Sequence, residues 1–149
     1  KRMDKQLNVA LIREKVALIQ SKGIDLAAFF ILGFPDETVE DMRESINFSL
    51  ELPLLRANFF TFLPLPMTPV TLKLIASGEI GEMDVDGLIF QKVPYAPKGV
   101  TREQLRSLQR EAFLRFYFRP KTMLRNLMQI RSLKHFGYLL KRFYHWIVM

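Results

Sequence analysis

Apolar residues recur at helical spacing from the start of the chain. Leu7, Leu11, Ile12, Val16, Leu18 and Ile19 mark a helix over 3–22. Gly23 follows Lys22 where a helix stop needs a left-handed residue, which only glycine adopts without a Cβ clash. The pattern then changes. Leu26-Ala27-Ala28-Phe29-Phe30-Ile31-Leu32 is apolar without interruption and of strand length, which predicts a strand buried on both faces, as in parallel sheets. Gly33-Phe34-Pro35 ends it. Asp36 is the first candidate to cap the next helix and Thr38 the second. Glu37, Glu40 and Asp41 load its first turn with the negative charge that a helix dipole favours there. Met42, Ile46 and Leu50 carry that helix to about Leu52, and Pro53 closes it. Residues 55–63 read as a second strand.

Strand, helix and strand in so short a stretch make one βαβ unit, expected to be right-handed with parallel strands. Both strand C-terminal ends, Gly33-Phe34-Pro35 and Thr61 through Pro66, then point to one side of the sheet. In parallel α/β folds that side carries the chemistry. Pro64-Leu65-Pro66-Met67-Thr68-Pro69 is stiff, and a short helix follows from Val70 to Ser77 with Gly78 as its stop. Residues 79–100 lack a sustained period and read as a loop, with Leu88-Ile89-Phe90 a candidate anchor. Thr101 and Gln104 form a capping box ahead of Leu105, Leu108, Ala112 and Phe116. Pro120 begins a further helix through Leu124, Leu127, Met128 and Ile130. A last helix carries Phe136, Leu139, Leu140, Phe143 and Ile147 on one stripe.

Charge divides the chain. Residues 1–100 hold 11 Lys and Arg against 13 Asp and Glu, whereas 101–149 hold 11 against 2. The basic character belongs to the tail, and the shift places a boundary near Pro97-Lys98-Gly99, giving segments 1–97 and 98–149. There are no cysteines among the 149 residues, so no disulfide and no thiolate-bound metal or cluster can form within the chain. His135 and His145, ten residues apart, make a poor metal pair, and no metal ligand is assigned. No apolar run approaches the ~18 residues of a membrane span. The first residue is Lys1, no signal-peptide layout follows it, and the chain is expected to be part of a longer one.

Three segments, in order, resemble one family. Phe29-Phe30-Ile31-Leu32-Gly33-Phe34-Pro35-Asp36-Glu37-Thr38 resembles the fifth-strand signature of radical S-adenosylmethionine enzymes. More narrowly, it is similar to the branch with an N-terminal cobalamin-binding domain, where the strand ends Gly-(Leu/Phe)-Pro-Gly-Glu-Thr. Pro64 through Pro69 is similar to that branch's Pro-x-Pro-Gly-Thr-Pro after the sixth strand. Phe116-Tyr117-Phe118-Arg119-Pro120, with Leu127 and Ile130-Arg131-Ser132, resembles its helical tail. Asp36 and Met67 stand where the branch commonly has glycine. The branch includes anaerobic magnesium-protoporphyrin ester cyclase-like Fe–S oxidoreductases and C-methylating enzymes.

The resemblance implies an α/β fold, a partial (β/α) TIM-like barrel with a C-terminal helical segment. It also implies a cytoplasmic oxidoreductase or methyltransferase that cleaves S-adenosylmethionine on a [4Fe–4S] cluster, with cobalamin as a further cofactor. The cluster and cobalamin ligands, and any catalytic residue, lie outside this chain, which is expected to be inactive alone. Its expected partners are the N-terminal half of its own barrel and the cobalamin domain, with self-association through exposed strands. By the same resemblance Ile31 lies against adenine, and Phe60, Thr61 and Phe62 offer it backbone groups. Each site has a plainer reading beside it. Ile31 also reads as a core residue, and Gly33 serves the adenosyl group, the strand-to-helix turn, or both. Glu37 reads more simply as helix N-terminal charge than as a catalytic acid. Pro64, Leu65, Pro66 and Met67 line an apolar substrate pocket or form a rigid linker. The basic aromatic tail is a helical cap on the barrel mouth or a contact to the anionic inner membrane face, through Phe143, Trp146 and Ile147 with Lys141 and Arg142. No nucleic-acid motif accompanies its charge. The rival function is a non-catalytic helical interaction module on such a membrane.

Overall fold

A computed structural model describes residues 8–81, 93, 95–128, 130, 137 and 141. Its elements are α1 (Val9–Ser21), β1 (Ala27–Leu32), α2 (Val39–Glu51), β2 (Arg56–Thr61), α3 (Pro69–Ala76), α4 (Arg102–Tyr117) and α5 (Pro120–Met128). The expected anchor Leu88-Ile89-Phe90, the final helical stripe and the membrane-facing residues lie outside the described residues, apart from Lys141.

The caps explain why the helices sit where they do. Asn8 caps α1, its side chain accepting from the Ala10 and Leu11 amides. At the other end Gly23 takes φ +75, and the Gly23 and Ile24 amides return to the Gln20 and Ile19 carbonyls, a Schellman stop. The same stop ends α3 at Gly78. Thr38, not Asp36, caps α2. Its hydroxyl accepts from the Asp41 amide at 3.1 Å, and the Asp41 carboxylate accepts from the Thr38 amide at 2.9 Å. Asp36 is displaced from that duty because it sits in the preceding turn at φ +65. Thr101 and Gln104 form the expected capping box on α4.

The fold is mixed α/β, with the expected parallel βαβ unit. β1 and β2 pair in parallel from Ala27↔Arg56 to Leu32↔Thr61. Helices cover one face. Leu32, Ala57 and Phe59 join Met42 and Ile46 of α2 and Leu105, Leu108, Ala112 and Phe116 of α4 in one core, with Ile12 and Val16 of α1 packed against it. Phe59 is fully buried, stacked on Phe30 at 5.3 Å and edge-on to Phe116 at 6.2 Å. Burying such a ring contributes roughly 1.5–3 kcal/mol. α1 buries less than its spacing predicts, for Leu11 and Leu18 face outward. It is tied to α2 by Arg13, which bonds Glu51 and lies over the Phe48 ring at 5.0 Å.

The expectation that β1 is buried on both faces is corrected. Residues alternate across a strand, and only the face of Ala28, Phe30 and Leu32 meets the helices. Phe29 is 70% exposed and Ile31 41%. An unbroken apolar run says that both faces are apolar, not that both are covered within the same stretch of chain. Among the described residues no layer lies over the second face. At the expected boundary near Gly99, which turns at φ +81, the chain enters α4, whose apolar face belongs to the same core as the βαβ unit.

Candidate functional site

The pairing register brings both strands to the same level at their C-terminal ends, where two turns of one design follow. Glu37 N–H donates to the Phe34 carbonyl at 3.0 Å, with Pro35 second and Asp36 third in the turn. Thr68 N–H donates to the Leu65 carbonyl at 3.3 Å, with Pro66 second and Met67 third. Proline at the second position and positive φ at the third is the type II arrangement, and glycine is the usual third residue. Asp36 and Met67, at φ +65 and +62, are the described non-glycine residues with positive φ. Each turn delivers a threonine that caps the next helix, Thr38 for α2 and Thr68 for α3.

Gly33 sits at the end of β1 with φ +77. A Cβ there would meet Leu105 Cδ2 of α4 at 2.6 Å, and Leu105 is fully buried. The turn and the helix packing thus both require glycine, on the core side of the sheet. The Gly33 and Phe34 amides donate to Glu37 Oε2 at 2.8 and 3.0 Å. That carboxylate gathers two amides that emerge from the strand with no ladder partner, so Glu37 ties strand to turn.

The open face holds Phe29 and Ile31 on β1 and Asn58 and Phe60 on β2. Ile31 stands opposite Phe60 in the register, and the Phe29 and Phe60 rings stack at 6.0 Å. Asn58 is half-buried there and has no recorded side-chain hydrogen bond among the described residues; it was not singled out from sequence, though an Asn inside an apolar strand is a visible signal. Toward the rim Phe62 packs edge-on against Phe34 at 5.0 Å and Tyr95 at 5.8 Å. The structure thus groups Ile31, Phe60 and Phe62 along one side of the sheet, and sets Gly33 at its end. Phe62 N–H donates to the Leu32 carbonyl at 2.8 Å, so the even-numbered backbone groups of β2 face β1. Of the three residues expected to offer backbone groups, Thr61 alone turns them to the outer edge. In the apolar rim Pro64 is buried, whereas Leu65, Pro66 and Met67 are exposed, Met67 to 81%.

A polar network behind this rim was not read from the sequence. The Tyr95 hydroxyl donates to Glu79 Oε2 at 3.1 Å, while Ser77 Oγ and Lys98 Nζ donate to Glu79 Oε1 at 3.1 and 3.2 Å. Burial, then the Glu79 carboxylate, then the charge of Asp36 push the Tyr95 phenol up to about 12. The Lys98 hydrogen bond holds Glu79 below the usual carboxylate range against desolvation. Tyr95 lies between two prolines in an aperiodic stretch, and those flanks were the available signal of a fixed position. Chemically, the open face offers π surface and aliphatic contact at the strand ends, with an amide nearby. Such a surface binds and orients a flat or apolar group. Glu37 and Glu79 near its rim are committed to internal hydrogen bonds. No described helix is long and apolar enough to cross a membrane.

No family model matches the chain. The chain is similar to a protein named as an uncharacterized methyltransferase from Pyrococcus horikoshii, with 31% identity over 120 residues, or 80% of this chain. The match spans 25% of that protein's length, so a methyltransferase-named homologue shares most of this chain and extends well beyond it.

Proposed function

We propose that the chain is the C-terminal part of the barrel of a radical S-adenosylmethionine enzyme, a methyltransferase or oxidoreductase of the cobalamin-linked branch. The observation that carries this reading is the rim. Two parallel strands end level, each turns through a Pro-containing left-handed corner into a threonine-capped helix, and the sheet face below is left open and apolar. Among the described residues, the two non-glycine residues in the left-handed conformation are Asp36 and Met67, the positions where the branch's motifs have glycine, so the backbone keeps the shape that those motifs encode. The name of the archaeal homologue supports methyl transfer.

The residues fit S-adenosylmethionine in a limited sense. The open face at Ile31 and Phe60 suits an adenine ring, and the Thr61 backbone faces outward. Glu37 is engaged at the turn rather than set across that face. A reduced [4Fe–4S] cluster would supply the electron that cleaves bound S-adenosylmethionine, and with no cysteine among the 149 residues its thiolate ligands would come from elsewhere in the polypeptide. This chain contributes binding and orientation. Ile31 and Phe60 exclude water from one side of the ligand, and Glu37 fixes the strand end that sets their position.

The test is anaerobic reconstitution, with iron and sulfide, of the polypeptide that carries this chain and a Cys-x-x-x-Cys-x-x-Cys loop upstream. That loop is expected within about 130 residues, four βα units at ~30 each. Formation of 5′-deoxyadenosine from S-adenosylmethionine under reducing conditions is the expected result. Its absence from a cluster-loaded, folded protein overturns the reading.

A further inference from the structure

We infer that Asn58 makes the open face selective: its carboxamide carbonyl accepts a hydrogen bond from the edge of the flat group bound against Ile31 and Phe60, in the proposed reading the exocyclic amine of adenine. The inference rests on that reading and gives its adenine site a side chain that chooses among ring systems.

The backbone of the sheet is poorly placed for this task. Phe62 N–H is taken by the Leu32 carbonyl, and the Phe60 backbone lies in the same ladder toward β1. The Thr61 backbone turns to the opposite edge, where Gln109 and Tyr117 of α4 bond the Phe59 and Ala57 carbonyls at 2.8 and 3.0 Å. Backbone groups point along a sheet toward neighbouring strands, not out of its face. A ring lying on the face stacks on side chains and finds its polar partner among them.

Asn58 meets that need. Residues two apart share a face, so Asn58 stands on the side of Phe60, about 6.6 Å nearer the start of β2. It pairs with Phe29 in the register, and the Phe29 ring stacks on Phe60 at 6.0 Å, so these three and Ile31 surround one patch. Arg56, two residues further from the rim, is a donor only, whereas an amine on the ligand needs an acceptor. Asn58 is half-buried and has no recorded side-chain hydrogen bond among the described residues. Asparagine is depleted in strands, and beside Phe29, Ile31 and Phe60 an apolar residue serves the sheet better. The consequence appears when the face is covered. Whatever lies on Ile31 and Phe60 also strips water from Asn58, and an amide left unpartnered in an apolar site is costly. A purely apolar ring is therefore disfavoured, and a ring with a donor on its edge is preferred. A carboxamide can bond the amine of adenine and its adjacent ring nitrogen together.

Calorimetric binding of two ligands to the cluster-loaded longer polypeptide tests this. One is S-adenosylmethionine; the other is its analogue with unsubstituted purine in place of adenine, which lacks the amine. The wild type is expected to prefer S-adenosylmethionine by about tenfold or more, the worth of one or two hydrogen bonds in a desolvated site. Asn58→Leu and Asn58→Ala remove both polar atoms, with and without the bulk, and are each expected to bring the two affinities within about twofold. Asn58→Asp retains an acceptor and retains the preference. A wild type that does not distinguish the ligands overturns the inference, as does a preference lost in Asn58→Asp. Equal weakening of both ligands by Asn58→Leu or Asn58→Ala overturns it too, because the preference then survives and Asn58 serves the sheet alone. Failure of S-adenosylmethionine to bind the folded wild type sinks the proposed reading itself; binding with the preference unmoved sinks only the role of Asn58.

Discussion

At the scale of single residues, three positions carry strain or relieve it. Asp36 and Met67 hold a conformation that costs a non-glycine residue about 1–2 kcal/mol. Glycine there recovers that strain but gives back about 0.4–1 kcal/mol through its freer unfolded chain. Asp36→Gly and Met67→Gly are each expected to raise stability by about 0.5–1 kcal/mol in urea unfolding, additively, since the turns share no hydrogen bond. Gly33 is the converse. Gly33→Ala adds left-handed strain and a 2.6 Å contact with a core leucine, and is expected to cost about 2–3 kcal/mol. The phenol of Tyr95 sets an alkaline limit. Its folded pKa of about 12 lies above the ordinary phenol value of 10, so its contribution is complete below pH 10 and is lost as pH rises toward 12. Between those values the wild type is expected to lose about 1–3 kcal/mol that Tyr95→Phe does not lose, read from unfolding midpoints across that range. The Glu79 carboxylate has the opposite sign, stabilising above its ordinary pKa and less as pH falls through its lowered one.

At the scale of elements, the strands, the α2 helix and the α4 capping box were legible because each rests on a local signal: an apolar run, a helical period, a threonine three residues before a partner. What was not legible depended on contacts distant in sequence. Asp36 and Thr38 are both good caps by type, and the choice fell to Thr38 once the Phe34–Glu37 turn fixed Asp36 elsewhere. The need for Gly33 is set by Leu105, 72 residues on. Tyr95 and Glu79 meet across 16 residues of aperiodic chain. Gln109 reads as an ordinary position on α4 and Tyr117 only as part of a tail motif, yet they bond β2 carbonyls 50 and 60 residues away. Gln109→Ala and Tyr117→Phe are each expected to cost about 0.5–1.5 kcal/mol, with more aggregation than a surface control of equal stability, because the bare carbonyls invite a second sheet.

At the scale of the whole molecule, the two sides of the sheet differ among the described residues. Helices close one face and α4 covers the outer edge of β2, while no described element lies over the apolar face of Phe29 and Ile31 or along the β1 edge. Packing on α2 and α4 supports the two-stranded sheet, and the match to the archaeal homologue spans a quarter of that protein's length. The resemblance to a radical enzyme could be read from the order of three short motifs, but the open face could not, because apolar runs do not say which of their sides lacks a neighbour. The most direct measurement is the affinity of the reconstituted longer polypeptide for S-adenosylmethionine with Ile31 changed to Asp. Ile31 is not needed by the core, so folding is preserved, while a carboxylate pressed against an adenine ring is poorly solvated. Binding about tenfold weaker or more, with Tm held within ~2 °C, is the predicted result. Unchanged affinity, whether or not Tm falls, contradicts the placement of the ligand on this face.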